Sequence, residues 1–568
     1  MSEFSSLQIA LRGLQAQHKA LDVTGHNIAN ANTVGYSRQR VDMEADAGPI
    51  VPAVFSKYLG SGEGVDIAAI TRAADIFLQA QTYVDHSANS ALAAQQSVLA
   101  QIEQFFGEPS DNGIQSQLTS FWSGWDAVAN NSGDQAVRTQ LLEQAATVTG
   151  SLNRAAASLQ ALQSATAQQL GATIDEINTT AQGIAELNAR IQTAAAAGLD
   201  HNDLLDQRDV LLTKLSDLAG ITVKHEANDV VNVILSGGPL VTGVRAESLA
   251  LDASSPSSVV VRWTKDNTVA TVTGGTAGGD ISVVNDIVPR YLAGLDGVAT
   301  KLRDTVNAVH AAIGGTVAAA AQDQSATAAL SFALTLNGSA PVTVSLAGAN
   351  WTDDPATLQT ALQNALDTAL GGAPGQVVAT VTQSGGPGTP LSVSIAGADA
   401  TDALTVSATP GNPGLATLLG DTSLGSDGVG GRALLSGTDA TSIAVDPAMV
   451  GHPERVGAGS ASRGALDGSR ALLLAEQANS ATGPDADYRQ YIVALGVEAQ
   501  TVNQRAATQS AVTQRSDLAE ASQSGVNLDE EMTNMIAYQQ AYNAAARFMT
   551  AIDETLRTLI QSTGLVGR

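Results

Sequence analysis

Apolar residues repeat at both ends of the chain with alternating spacings of three and four residues. The first repeat comprises Leu7, Leu11, Leu14, His18, Leu21, Gly25 and Ile28, and the last comprises Met535, Tyr538, Tyr542, Ala545, Met549, Ile552, Leu556 and Leu559. This spacing predicts two terminal helices with coiled-coil seams. We expect the two ends of the chain to meet in the fold. Because Gly25 and Ala545 add little side chain to the seams, neighbouring copies are expected to complete their burial.

Helical and strand-like patterns alternate between these ends. Residues 88–215 have helical periodicity, and their longest apolar stripe comprises Leu170, Ile174, Ile177, Ile184, Leu187 and Ile191. Two alternating segments then predict strands, with apolar residues Val231, Val233, Leu235, Val259, Val261 and Trp263. Turns are predicted at Gly237-Gly238-Pro239 and at Asp266-Asn267. Helix is predicted again after Pro289 and from Tyr488 to Ala506.

The segment between Arg303 and Arg432 contains no lysine or arginine. A helix is predicted from Asp353-Asp354-Pro355, where an acidic cap precedes a proline, and its apolar face comprises Leu358, Leu362 and Leu366. Alternating apolar residues before it, joined by a turn at Asn337-Gly338, are Phe332, Leu334, Leu336, Val342, Val344 and Leu346. Those after it are Val377, Ala379, Val381, Leu391, Val393 and Ile395. A β-β-α-β-β insert is therefore predicted.

The expected fold is multidomain: a mainly α-helical stem, made of terminal coiled-coil helices and a long helical bundle, with inserted β-rich and α+β outer domains. In chain order the expected segments are an N-terminal helix and turn (1–60), the first part of the stem (61–220), a small β domain (221–284), the second part of the stem (285–325), the insert (326–430), the last part of the stem (431–523) and a C-terminal helix (524–568).

Short motifs lie beside the predicted terminal helices. Asn27-Ile28-Ala29-Asn30 is followed by Asn32-Thr33-Val34-Gly35-Tyr36, and the chain closes with residues 524–559. Both resemble the terminal motifs of the rod, hook and hook-associated proteins of the bacterial flagellum. Tyr36-Ser37-Arg38-Gln39 is similar to the first hook-associated protein family, FlgK, of the hook–filament junction. Three internal motifs agree: Gly62-Glu63-Gly64-Val65 with Arg72 and Asp75-Ile76-Phe77-Leu78, then Arg138-Thr139-Gln140-Leu141-Leu142, then Asp203-Leu204-Leu205-Asp206-Gln207-Arg208-Asp209.

The resemblance implies a structural role, in which paired terminal helices enter the inner tube of the flagellum. It implies self-association in a tubular assembly, contacts with the hook protein and with the second hook–filament junction protein, and a cytoplasmic export chaperone at the C-terminal helix. It also implies an extracellular location reached without a cleaved signal peptide, and no signal-like segment opens the sequence. The expected assembly interface comprises Leu7, Leu11, Leu14, Leu21, Ile28, Asn27, Asn30, Met535, Tyr542, Met549, Ile552, Leu556 and Leu559.

Asn27, Asn30 and Asn32 are also expected to cap and turn the first helix, ending it before Gly35. Since end helices have few later elements to cover them, we expect both ends to be mobile in the monomer and ordered only on assembly.

Composition argues against nucleic-acid binding, cysteine-based metal binding and membrane insertion. The chain of 568 residues has a formal net charge of −27 and no basic stripe, so nucleic-acid binding is not expected. It contains no cysteine, which excludes disulfides and cysteine-based metal sites. No apolar run reaches the roughly 18 residues that a membrane-spanning helix needs, so membrane insertion is not expected.

No candidate catalytic chemistry stands out. His225-Glu226 begins like a zinc-protease motif, but Asp229 occupies the place of the second histidine. The glycine clusters 60–64 and 274–279 lack the flanking elements of a nucleotide site and are predicted to be loops. We therefore expect no catalytic residue, cofactor or metal. Two alternatives stay open: another axial protein of the hook or rod type, and a secreted adhesion or binding protein that uses residues 330–430.

Overall fold

A computed structural model of the protein describes residues 3–46, 62, 64–255, 258–311, 313–317, 330–336, 339–346, 354–371, 374–383, 391–397, 404–408, 433–459 and 466–563. The predicted turn at 337–338 and most of the glycine cluster 60–64 lie outside these residues.

Helices account for most of the described chain. They are α1 (Glu3–Asn30), α2 (Ile76–Phe106), α3 (Ile114–Asn130), α4 (Gln135–Ala196), α5 (Asn202–Leu218), α6 (Gly275–Ser282), α7 (Val288–His310), α8 (Pro355–Ala369), α9 (Ser469–Ala475), α10 (Pro484–Ser524) and α11 (Leu528–Thr563). The predicted helical segment 88–215 is thus divided among α2, α3, α4 and α5. The main breaks follow Phe106, Asn130 and Ala196.

The strands form small, separate antiparallel sheets. They are β1 (Gln39–Asp46), β2 (Gly64–Arg72), β3 (Ile221–His225), β4 (Val231–Leu235), β5 (Gly238–Thr242), β6 (Arg245–Ala246), β7 (Leu249–Ser255), β8 (Ser258–Trp263), β9 (Ile313–Val317), β10 (Leu330–Leu336), β11 (Val342–Leu346), β12 (Val377–Gln383), β13 (Leu391–Gly397), β14 (Leu404–Ala408), β15 (Leu435–Ser436) and β16 (Ala444–Val445). The fold is therefore multidomain and mainly helical, with inserted β-containing domains, as the sequence predicted.

The chain divides into two compact units. The terminal unit comprises residues 1–96, 166–285 and 502–568, and the middle unit comprises residues 97–165 and 286–501. The predicted segments placed the terminal helices apart from the small β domain, whereas the structure groups them in one unit. The predicted stem is itself shared between the two units, since the divisions fall inside α2, α4 and α10.

The core of the terminal unit contains most of the apolar stripe predicted on α4. Leu170, Ile174, Ile177 and Ile184 pack there with alternating residues of β4 and β8, including Val231. The two segments predicted as strands form β4 and β8; β3, β4, β5 and β6 make one sheet in that order, and β7 pairs with β8. The first predicted turn is shifted by one residue, because Ser236 and Gly237 adopt positive φ and β5 already begins at Gly238.

One local prediction in this unit was wrong, and one element was missed. The glycine cluster predicted as a loop forms α6, and it falls inside the segment assigned to the small β domain. Its glycines are required by close packing, because a Cβ atom at Gly279 would lie 2.7 Å from the backbone oxygen of Ala91. The hairpin of β1 and β2 was not predicted, since Gln39–Asp46 contains only Val41 and Met43 as large apolar residues.

In the middle unit, buried polar groups fasten loops to α7. Asn307 accepts hydrogen bonds from the backbone amides of Leu434 and Leu435, at 2.8 and 3.1 Å. His310 Nε2 accepts the backbone amide of Gly457 at 2.9 Å. The helix predicted after Pro289 is α7, and it buries Leu295, Ala299, Leu302 and Val306.

The insert is larger than predicted. It contains two three-stranded sheets, in the orders β11-β10-β14 and β12-β13-β9, and α8 lies between the second and third strands of its predicted motif. Strands β9 and β14 were missed, and β9 precedes the expected start at residue 326. The core is nevertheless the predicted one, with Phe332, Leu334, Leu362 and Val393 buried together. Asp354 caps α8 as expected, because its side chain accepts the backbone amide of Thr357 at 2.9 Å.

Two glutamines of α8 cover the edge of β12. Gln363 Nε2 donates to the oxygen of Val377 at 2.8 Å, and its Oε1 accepts the amide of Ala379 at 2.8 Å. Gln359 Oε1 accepts the amide of Val381 at 3.1 Å. An uncovered strand edge invites pairing with another chain, and β12 has no charged residue to prevent it. The glutamines therefore occupy the hydrogen-bonding groups that a further strand would use.

We predict that Gln363→Ala destabilises the insert by about 1–3 kcal/mol, because it leaves two backbone groups of β12 without a partner. Hydrogen exchange in the full chain should accelerate at the amide of Ala379. Asn364→Ala, at the next and exposed position of α8, is the matched control and should leave this exchange unchanged. Equal exchange in both variants would contradict the role of Gln363.

Candidate assembly site at the terminal helices

The terminal helices pair with each other in antiparallel orientation. Asn27 near the end of α1 contacts Glu531 near the start of α11, with 3.0 Å between Nδ2 and Oε2. Further along, the rings of His18 and Tyr542 lie 6.3 Å apart. A Cβ atom at Gly13 would lie 3.9 Å from Cβ of Ala545. The meeting of the chain ends, predicted from their seams, is therefore confirmed within one chain.

The buried face of α1 differs from the predicted seam by one residue. The buried positions are Ala10, Ala16, Ala20, Val23, Thr24 and Asn27. One residue turns a helix by about 100°, so the predicted leucines lie along the rim of the pair. The reason is size, because small side chains let α11 and the β1–β2 hairpin approach α1 closely, as around Ala20 and Val41.

On α11 the predicted seam lies on the less exposed side of the helix. Ile552 is buried, and Met535, Tyr542, Met549 and Leu556 are half-buried. Leu559 is exposed. On α1, Leu7, Leu14, Leu21, Ile28 and Asn30 are half-buried, whereas Leu11 is 47% exposed. Most of the predicted interface residues thus keep free surface in a single chain, which leaves their assembly role a prediction.

Asn27 has a different place from the one predicted. It is buried, and its Oδ1 accepts the Tyr36 hydroxyl at 2.8 Å and the Gln39 amide at 2.9 Å. Its Nδ2 donates to the Gln39 oxygen at 2.9 Å as well as to Glu531. Asn27 therefore joins α1, the following turn, β1 and α11, instead of capping its own helix. In this structure its side chain has no surface to offer a neighbouring copy.

Asn30 and Asn32 do lie where the first helix ends. Asn30 Nδ2 donates to the His26 oxygen at 3.1 Å, and the Thr33 hydroxyl donates to Asn30 Oδ1 at 3.2 Å. Gly35 adopts a φ of +76°, which ends the turn that α1 begins.

Arg38 holds the start of α11. Its Nε donates to Glu531 Oε1 at 2.7 Å and its Nη1 donates to Glu530 Oε2 at 2.8 Å. The Arg38 amide also donates to the Ser524 oxygen at 2.7 Å, at the break between α10 and α11. Glu531 is only 2% exposed, so its charge is compensated by Arg38 and Asn27 instead of by water. We call Asn27, Tyr36, Arg38, Gln39 and Glu531 the terminal junction.

A second buried ion pair fixes α5 beside the terminal junction. Arg72 Nη1 lies 2.8 Å from Oδ1 of Asp206 and 2.8 Å from Oδ2 of Asp209. Burial opposes the charge of Arg72, but Asp209 and Asp206 outweigh it and raise the pKa of the guanidinium. Burial also raises the pKa of Asp206, although the Ser37 amide and Arg72 oppose this rise. The motif residues of α5 thus meet those that follow α1.

Sequence reasoning identified these motifs but not their pairing. The segments that carried the resemblance contain Arg38, Arg72, Asp206 and Glu531. The occurrence of these segments together in one chain was the signal in the sequence for their pairing. The motif at Arg138 lies elsewhere, in the middle unit, where Arg138 Nη1 donates to the Glu454 oxygen at 3.3 Å.

No metal site forms among the described residues, where no group of three or more histidine, cysteine or acidic side chains is arranged to hold an ion. His225 lies in strand β3, and burial together with Arg208 lowers its pKa. Within the same residues, none of the helices is both long and apolar enough to cross a membrane.

His86 links three helices of the terminal unit. Its Nδ1 lies 2.9 Å from Asp217 on α5, and its Nε2 lies 2.9 Å from Asp517 on α10. The pKa of His86 is raised from 6.5 to about 9, mainly by the hydrogen bond to Asp217. Burial opposes this rise, and Asp517 adds to it. The charged imidazole therefore stabilises the unit at neutral pH.

We predict that Arg38→Met lowers the free energy of unfolding of the terminal unit by about 3 kcal/mol, because it leaves Glu531 buried without its cation. Chemical denaturation of the full chain, with hydrogen exchange along α11, should measure the loss. Arg40→Met is the matched control: Arg40 is 74% exposed and pairs with Asp42, so its loss should cost less than about 1 kcal/mol. Equal losses would exclude a buried ion pair as the cause.

A second prediction concerns pH. Because the pKa of His86 is higher in the folded state, its stabilisation is complete below pH 6.5 and disappears as the pH rises through about 9. After discounting for partial exposure, the unfolding free energy of the terminal unit should fall by about 1–2 kcal/mol over this range. His86→Gln should remove this part of the pH dependence. An unchanged slope in the variant would assign it to other groups.

Comparison with protein families places three matches along the chain. The helical domain of the flagellar hook-associated protein FlgK matches residues 99–318. The C-terminal model of the flagellar basal body rod FlgEFG proteins matches residues 521–562, and the flagella basal body rod protein model matches residues 7–36. The last two matches contain most of α1, the turn after it and most of α11, and with them Asn27, Tyr36 and Glu531 of the terminal junction.

Curated relatives agree with these matches. Flagellar hook-associated protein 1 of Bacillus subtilis is 29% identical over 577 residues, which cover 100% of both chains. The Escherichia coli protein of the same name is 30% identical over 46% of this chain and 47% of its own length. Among solved structures, the flagellar hook junction protein FlgK from Burkholderia pseudomallei is 22% identical with a TM-score of 0.49, over 78% of this chain and 99% of its own. From the family models, the full-length relative and the motifs at both ends, the chain belongs to the flagellar hook-associated protein 1 (FlgK) family.

Proposed function

We propose that this protein is a structural component of the bacterial flagellum that joins the hook to the filament, and that it assembles through the pair of α1 and α11. The observation that carries the proposal is the uneven burial of this pair. Its base is fixed by the terminal junction, whereas large apolar side chains of both helices stay exposed. A monomer would gain nothing from such residues, but an assembly can bury them.

The rim of α1 offers one such surface. An open groove of about 640 Å³ lies along the middle of α1, and its lining includes Leu11, Leu14, His18, Ile67 and Tyr542. Its leucines are those of the predicted seam, turned away from α11 by the one-residue shift. A helix of a neighbouring copy is the expected occupant, since apolar side chains of α1, β2 and α11 line the groove and can bury another apolar stripe.

Further large apolar side chains of α11 are exposed, namely Met532, Ile536, Phe548 and Ile560. Uncovered apolar residues of this size promote aggregation before assembly. This favours a cytoplasmic chaperone that covers α11 until export, followed by neighbours in the tube that cover it afterwards. Export without a cleaved signal peptide, contacts with the hook protein and contacts with the second junction protein complete the proposal.

The two terminal models are named for rod proteins, so they do not separate a hook-associated role from the hook or rod type. The match to the FlgK helical domain favours the hook-associated role. We assign the protein no catalytic role, in keeping with its structural family. The first test is genetic. Cells that lack the protein should keep hooks but lose filaments, and the full chain should restore them.

A more specific prediction tests the exposed position Ile536 on α11. Ile536 is 58% exposed, so Ile536→Asp should leave the unfolding temperature of the free chain unchanged. It should nevertheless reduce filament formation in complemented cells, because each subunit contact loses about 1–2 kcal/mol of apolar burial. Gln540→Asp adds the same charge one turn away without removing an apolar side chain, and should retain function. Normal filaments with Ile536→Asp would exclude this surface from assembly.

A further inference from the structure

A cavity of about 540 Å³ lies beside the terminal junction, between the turn that follows α1 and the side of α5. We call it the Val34 cavity. Its apolar wall is formed by Val34, Leu187, Val210 and Leu211, and its polar wall includes His26, Tyr36 and Asp203. All of these residues belong to the terminal unit.

The turn holds Val34 in an exposed position. Val34 is 88% exposed although its neighbours on both sides are fixed. The Thr33 hydroxyl binds Asn30, and the Tyr36 hydroxyl binds Asn27 in the buried network. Gly35 presses against α5 so closely that a Cβ atom there would lie 2.1 Å from Cγ2 of Val210. The exposed valine is thus part of a preformed surface, and a binding partner would not need to order it.

The polar wall carries negative charge that is only partly compensated. Asp206 is engaged by Arg72 and by the Ser37 amide. Asp203 accepts a neutral donor, Gln39 Nε2, at 3.0 Å, and its other oxygen lies 3.9 Å from His26 Nε2. Among the residues that the structure describes, no lysine or arginine lies within 4.0 Å of Asp203. Burial and then Asp203, Asp206, Glu531 and Asp200 raise the pKa of Tyr36, in agreement with a negative potential at the cavity.

We propose that the Val34 cavity receives a lysine or arginine side chain from a neighbouring protein of the assembly. The aliphatic stem of that side chain lies along Val34, Val210 and Leu211, while its charged end binds Asp203. Long basic side chains combine an apolar stem with a cationic tip, which is the combination that this cavity matches. Apolar residues on either side of the basic residue would cover the exposed part of Val34.

The inference rests on the proposed assembly role for the identity of the partner, but its chemistry can be tested on the isolated protein. The probe is acetyl-Val-Arg-Val-amide, titrated into the full chain with methyl-labelled valine and leucine. Saturable shifts at Val34, Val210 and Leu211 are expected, with a dissociation constant on the order of millimolar. The same peptide with citrulline keeps the shape but not the charge, and should bind at least about tenfold more weakly.

Variants separate the two walls. Asp203→Asn keeps an acceptor for Gln39 but removes the charge, so affinity for the arginine peptide should fall at least about tenfold. Val34→Ser should weaken binding severalfold without a change in unfolding temperature. Val450→Ser, at an exposed valine of the middle unit, is the matched control and should bind normally. The methyl spectrum of each variant away from the cavity shows whether the fold is retained.

Three results would overturn the proposal: equal binding of the citrulline peptide, undiminished binding by a folded Asp203→Asn variant, or tighter binding of free spermidine than of the peptide, which would make the cavity a site for small cations. Filament formation by the unmodified chain is measured separately. If it succeeds while the peptide fails to bind, the hook–filament role stands and only the Val34 cavity loses its proposed partner.

Discussion

The arrangement of the chain ends depends on the contacts of one buried carboxylate, that of Glu531, with Arg38 and Asn27. A buried charge without a partner is costly, so Glu531 tolerates only a conformation in which Arg38 and Asn27 are both in place. Asn27 in turn requires β1 and the turn at Tyr36. One ionic contact therefore commits α1, the first hairpin and α11 to a single geometry. The apolar seam alone would allow the helices to slide, because small residues on α1 specify register weakly.

This division between a specific base and an adaptable remainder suits an assembling protein. At the base, the polar contacts of the terminal junction can form in only one arrangement of the two helices. Along the rest of the pair lie half-buried leucines and methionines, and methionine can adapt its shape to different surfaces. The insert follows the opposite rule. Gln359 and Gln363 close the edge of β12, so one route by which strands of neighbouring copies could pair is blocked there.

Sequence reasoning succeeded where one residue type decides the structure. Alternation from Phe332 to Ile395 identified most of the core of the insert, because only apolar residues can fill it. It failed where small or polar residues are buried. Ala10, Ala16 and Asn27 carry no apolar signal comparable to a leucine, so the rim of α1 was taken for its buried face. The helix at Gly275–Ser282 was missed because glycines usually interrupt helices, and here neighbouring backbone leaves room for nothing larger. Periodicity also carries no information on pairs such as Arg38 and Glu531, which local patterns cannot connect.

The separation between Asn27 and Glu531 is 504 residues, nearly the length of the chain. Loop closure over that distance must precede the contact, which makes it one of the slowest to form. The middle unit ends at residue 501, whereas the terminal unit needs the last segment of the polypeptide. A chain that emerges gradually from a ribosome or a narrow channel therefore cannot complete the terminal unit until both of its ends are free. Because Glu531 lies near the C-terminus, the pairing of α1 with α11 is delayed until nearly all of the polypeptide has emerged.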